Sequence, residues 1–196
     1  MINSENQIKT KKQLKDWISY ETGGNRKVNP LKEIFGLGER AIINKFLKRL
    51  RKTEYYFNTH KKIRYFFSKM KLSKLQNKYG FHIGLNVCEK GLSLMHVGSV
   101  LLNGKSRVGK DCTFHINTAL VANGPNDEAP TLGDGVIVGV GAVVVGGIKI
   151  ANHVAIGANS VVCKDVTEEN VAVAGVPAKI VSKNGALTWN KKAKNQ

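Results

Sequence analysis

Between Leu132 and Val162 an aliphatic residue returns at every sixth position: Leu132, Val138, Val144, Ile150, Ile156 and Val162. A second series keeps the same phase four positions on, through Val136, Ala142, Ile148, Val154, Ser160 and Val166. A helix repeats about every 3.6 residues and an ordinary strand about every two, so neither accounts for the pattern. A period of six fits a triangular coil of three short strands, one hexad to a side, whose aliphatic residues point inward and stack on the next coil. Gly133, Gly139 and Gly157 follow the first series and are expected at tight corners, where a side chain or a negative φ would clash. Leu102, Val108, Phe114 and Leu120 carry the same phase further upstream. The phase also survives across 121–131, yet Asn126 stands where an inward aliphatic is due. That stretch is therefore expected to leave the prism as an excursion loop, a place where function often sits.

The first 80 residues have a different texture. A helix is expected from Ser4 to Tyr20, ended by Gly23-Gly24, a short one from Pro30, and a dense amphipathic stretch over Ala41–Met70. The division is an α-helical region 1–80, a coil domain 81–182 and a basic tail 183–196. Charge divides the same way. Residues 1–80 hold 20 Lys/Arg against 6 Asp/Glu, and 81–196 hold 11 against 8, for a net +17. Basic residues interleaved with Tyr55-Tyr56-Phe57 and Tyr65-Phe66-Phe67 fit helices packing on each other or on a neighbouring subunit. They also fit attraction to an acidic glycan or a peripheral membrane surface. No nucleic-acid motif is present.

No run of about 18 apolar residues exists to cross a membrane, and the N-terminus lacks a secretory pattern. Cys88, Cys112 and Cys163 share no metal-ligand or CxxC spacing, so no metal site is expected. They read as buried thiols in a reducing cytoplasm.

Gly91–His96 with Val100–Gly104, the hexads from Leu132, and the closing Val-Ala-Val-Ala-Gly-Val-Pro-Ala-Lys-Ile of 171–180 resemble bacterial serine acetyltransferases. They look closer still to that family's relatives in capsule and other polysaccharide biosynthesis. The resemblance spans roughly residues 50–182. It implies a mainly β fold, a left-handed parallel β-helix, assembled as a homotrimer with clefts between neighbouring prisms. It also implies acetyl-CoA as co-substrate, with Gly124, Ala142 and Ala158 along its arm and Lys164 and Lys179 toward its nucleotide end.

His96 matches the family's catalytic histidine. Acetyl transfer to an alcohol needs a base for the hydroxyl proton, and a positioned imidazole is typically worth about 10²–10⁴ in rate. Position 96 falls in phase with the inward series at 102, 108 and 114. An imidazole in that stack would strand two nitrogens, at a cost on the order of 1–3 kcal/mol, so a local departure from the prism is expected. His115 is a weaker candidate, and His60 and His153 read as surface residues. The resemblance implies an acid near position 82 to orient the base, but Phe81-His82-Ile83 offers none, and Glu89 has no evident geometric relation to it.

The acceptor side departs from the family. Met95 replaces the acid that precedes the histidine, the loop reads Asn126-Asp127-Glu128 where the family has an arginine, and Asn195-Gln196 lacks a terminal isoleucine. With Met95, Asn126, Asp127 and His115 as acceptor contacts, the expectation is O-acetylation of a sugar or polysaccharide hydroxyl, anionic acceptors included. Serine O-acetylation and a non-catalytic assembly module are the alternatives.

Overall fold

The computed structural model describes residues 7–124 and 127–188. Its chain begins with four α-helices: α1 (Lys11–Thr22), α2 (Pro30–Phe35), α3 (Glu39–Asn58) and α4 (Lys62–Tyr79). Ser4, the expected first cap, lies outside the described residues. The cap of α1 is Thr10, whose hydroxyl accepts from the Gln13 amide while the Gln13 side chain accepts from the Thr10 amide, a reciprocal box. Asn29 caps α2, with Pro30 at its first position. The dense stretch 41–70 is two helices rather than one. Thr59 turns its hydroxyl back onto the Tyr55 carbonyl, and His60 adopts a left-handed φ of 54°. Among the described residues no helix is long and apolar enough to cross a membrane.

From Phe81 the chain winds into a left-handed parallel β-helix. One face stacks Phe81–Ile83, Val100–Leu102, Thr118–Val121, Val143–Val145 and Val161–Val162. The second stacks Arg107–Val108, Thr131–Leu132 and Lys149–Ile150. The third runs through Ser93–Leu94, Thr113–Phe114, Ile137–Val138, Ala155–Ile156 and Ala172–Gly175, closed by the antiparallel Ala178–Ser182. All six aliphatic ribs from Leu132 to Val162 are buried, as are Val136, Ala142, Val154 and Ser160 of the second series. Both series therefore face inward.

The register explains the two irregularities of the pattern. Ordinary coils advance eighteen residues, as from Leu102 to Leu120 and from Val138 to Ile156. Leu120 pairs with Val144 and Phe114 with Val138, twenty-four apart, so the excursion inserts one whole hexad and the phase survives it. Leu94 pairs with Phe114, twenty apart. Eight residues separate Leu94 from Leu102 where six separate Phe114 from Leu120. The two extra residues fall in the segment holding His96.

The corners differ from expectation. Left-handed φ occurs at Gly135, Gly141 and Asn159, two residues beyond the glycines singled out by the period, and also at Asp111, Asn117 and His153. Gly139 serves for space instead. A Cβ there would lie 2.7 Å from the Ile156 carbonyl oxygen and 2.9 Å from the Ala158 amide of the next coil.

A buried ionic cluster fastens helices to prism. The Arg51 guanidinium, fully buried, donates to Glu21 at 2.7 Å, to Glu54 at 2.9 Å, and to the carbonyls of Cys88 and Glu89 in the first coil. Glu21 in turn accepts from the Gly91 and Leu92 amides. Burial pulls against the charge on Arg51, but the two carboxylates prevail and hold it protonated.

Candidate active site

The two-residue insertion lifts His96 out of the core that its phase would have assigned to it. Leu94 takes the inward place, fully buried beside Phe114, while the His96 side chain is 54% exposed. Met95 beside it is also exposed. The His96 Nδ1 lies 3.1 Å from Glu39 Oε2, and the Val97 amide donates to Glu39 Oε1 at 3.0 Å. Those contacts, the Val97 amide foremost and the imidazole next, hold the Glu39 carboxyl below the usual carboxylate range. Arg40, the next residue, reaches the Leu94 carbonyl at 3.5 Å, so the start of α3 is tied to this corner twice.

Glu39 is the group that reading the sequence missed. It stands 57 residues upstream in the helical region, and no motif links it to His96. Its one local signal is the Gly-Leu-Gly that precedes it and marks a helix start.

His115 lies near enough to His96 to feel its charge. Burial first, and the neighbouring imidazole second, push its pKa down and keep it neutral at physiological pH. His82 sits on the outer face of its strand, in register with Leu101.

The other expected site residues divide. Gly124 is exposed on the loop, Ala158 is exposed at a corner, and Lys164 and Lys179 are exposed near the C-terminal end of the prism. These four positions are open to a ligand. Ala142 is not. Its methyl is fully buried in the second inward series and its amide is bonded to the Gly139 carbonyl, so it offers neither side chain nor amide to a thioester arm. Asn126 lies outside the described residues. Asp127 forms an ion pair with Lys105 one coil away, and the loop folds back so that Asn123 donates to the Glu128 carbonyl at 3.1 Å. Cys88 and Cys112 are buried, with burial pushing Cys112 up to about 12 and Cys88 well above its usual value. Cys163 is exposed, against expectation. Among the described residues no cluster could hold a metal ion.

No family model matches the chain. It is 33% identical over 116 residues to a serine acetyltransferase of Synechococcus elongatus, covering 58% of this chain and 47% of that protein. It is also 33% identical over 129 residues to a serine acetyltransferase of Helicobacter pylori J99, covering 64% of this chain and 74% of that protein. Among solved structures it resembles the Neisseria gonorrhoeae serine acetyltransferase, with a TM-score of 0.65 at 22% identity over 95% of this chain and 72% of that one. The Brucella abortus serine acetyltransferase bound to coenzyme A superposes at 0.63, with 24% identity over 88% and 68%. The chain spans less than half the length of the Synechococcus protein.

These relatives are named serine acetyltransferases, which overturns the sugar or polysaccharide acceptor; closeness to capsule-biosynthesis enzymes is not shown. That expectation rested on departures at Met95, the 126–128 loop and the C-terminus, taken without the side chains that meet them in the fold. Lys105 pairs with Asp127, one of the two acids in the loop, and a carboxylate reaches His96 from a distant helix. With a third of positions identical along three quarters of the Helicobacter enzyme, the chain belongs to the serine acetyltransferase family.

Proposed function

We propose that the protein transfers the acetyl group of acetyl-CoA to the hydroxyl of L-serine, with His96 as general base. The observation that carries this reading is a half-exposed imidazole displaced from an otherwise aliphatic core, in a chain whose relatives are serine acetyltransferases. The imidazole takes the hydroxyl proton as the serine oxygen attacks the thioester carbonyl. The carbon–sulfur bond breaks, and the proton returns to the departing sulfur, which leaves as free CoA. Ala158, Gly124, Lys164 and Lys179 would receive the acetyl-CoA, small residues beside its extended arm and lysines near its phosphates. A homotrimer, in which the cleft beside His96 is shared with a neighbouring prism, belongs to the same reading. Exposed Val140, Val176, Ile180 and Val181 on the prism and its end support it.

The test is serine-dependent release of CoA thiol from acetyl-CoA. Turnover that requires L-serine and falls about 10²–10⁴-fold in His96→Ala is the expected result. No serine-dependent turnover, or a His96→Ala variant as fast as wild type, overturns it.

A further inference from the structure

The acid that the family resemblance implies near position 82 is absent here, yet the imidazole of His96 is not left without a carboxylate. We infer that Glu39, at the first turn of α3, is the positioning residue that fixes the tautomer and orientation of His96, an inference that rests on the proposed role of His96 as base.

The geometry has three parts. Glu39 spends one oxygen on the His96 ring at 3.1 Å and the other on the Val97 amide at 3.0 Å, so the carboxylate clamps both the side chain and the backbone that follows it. An ionised carboxylate only accepts hydrogen bonds, so Nδ1 must donate. In a neutral imidazole that leaves Nε2 as the acceptor, on the side of the ring away from Glu39, able to take a proton from an alcohol. The surroundings of Glu39 keep it ionised at neutral pH.

The carboxylate is itself held in place. Arg40 bonds to the Leu94 carbonyl one strand end away. Further along α3, Arg51 and Glu54 lock the helix to the first coil through Cys88, Glu89 and the Asn86 amide. The segment from Met95 to Ser99 carries two residues more than the matching stretch of the next coil, and Glu39 braces that bulge from outside the prism. The helical region thereby becomes part of the machinery that aims the base.

The experiment uses the full-length protein labelled with ¹⁵N-histidine, and the variants Glu39→Gln, Glu39→Asp, His96→Ala and Glu39→Gln/His96→Ala. Long-range ¹H–¹⁵N correlation spectra read the His96 tautomer directly, assigned by loss of its signals in His96→Ala. The wild type is expected to show the Nδ1–H form, and Glu39→Gln a mixture of both. In serine-dependent turnover, Glu39→Gln is expected to lower kcat about 10–100-fold, less than removal of the base itself, with KM for acetyl-CoA within about twofold. Glu39→Asp should recover part of the loss. In the His96→Ala background Glu39→Gln should cost nothing further, which a merely structural role would not reproduce. A Glu39→Gln protein matching wild type in tautomer and kcat overturns the inference. A wild type with the Nδ1–H tautomer but no serine-dependent turnover supports the clamp and refutes the activity.

Discussion

His96 shows how far a single residue can be read from sequence. Its phase placed it in an aliphatic stack, and the cost of stranding an imidazole there argued for a local departure. The departure exists, but its cause, two extra residues between Leu94 and Leu102, is visible only in the strand register. Its partner was illegible, because nothing in the sequence says that the start of a helix 57 residues upstream folds over this corner. The pair also yields a pH expectation. The folded Glu39 carboxyl lies below its ordinary value of 4.5, so the stability it contributes is present above that pH and is lost as pH falls through the depressed folded value. Thermal melts of wild type and Glu39→Gln should therefore differ at pH 7 and converge in strong acid; a gap that persists unchanged in acid would contradict the assignment. The cysteines make a second residue-scale prediction. A maleimide or disulfide reagent should modify one thiol per native chain, Cys163, and the other two only after unfolding, because burial keeps Cys88 and Cys112 as neutral thiols. Native labelling that survives Cys163→Ser would refute it.

At the scale of elements, the hexads translated directly into strands because each depends only on a residue's own coil and the next. Helix ends were read less well. The capping box at Thr10 and Gln13 was overlooked in favour of Ser4, and the break at Thr59–Lys61 has no Gly or Pro to mark it. Thr10→Ala should cost about 1 kcal/mol, since it leaves the Gln13 amide without its cap. The junction between helices and prism carries higher stakes. Arg51→Ala would leave Glu21 and Glu54 as buried carboxylates with no counter-charge from that side chain, and a loss of about 3–5 kcal/mol in urea unfolding is expected. A shift under about 1 kcal/mol would show that water reaches the cluster.

At the scale of the whole molecule, the charge split and the exposed apolar residues place the surfaces left to partners. Phe66, Phe67 and Ile63 on α4 and Val176 and Val181 at the end of the prism are all more than half exposed. A trimer covering the prism face predicts about three times the 21.5 kDa chain mass in light scattering; a monomer at micromolar concentration would remove the shared cleft from the proposed site. Gly124, Ala158, Lys164 and Lys179 were expected from the resemblance alone, and the structure leaves all four exposed. Ala142 is buried because the six-residue period carries two inward series, and a small residue can serve either a corner or the core. By itself the sequence determined the β-helix, its interior and its excursion, since these follow from short-range periodicity, whereas the candidate base was named by the family resemblance. Only the tertiary structure decided what surrounds that base, because the Glu39 clamp, the Lys105–Asp127 pair and the Arg51 cluster join residues far apart in the chain, and which charges meet across such distances is set by how the helices dock on the prism.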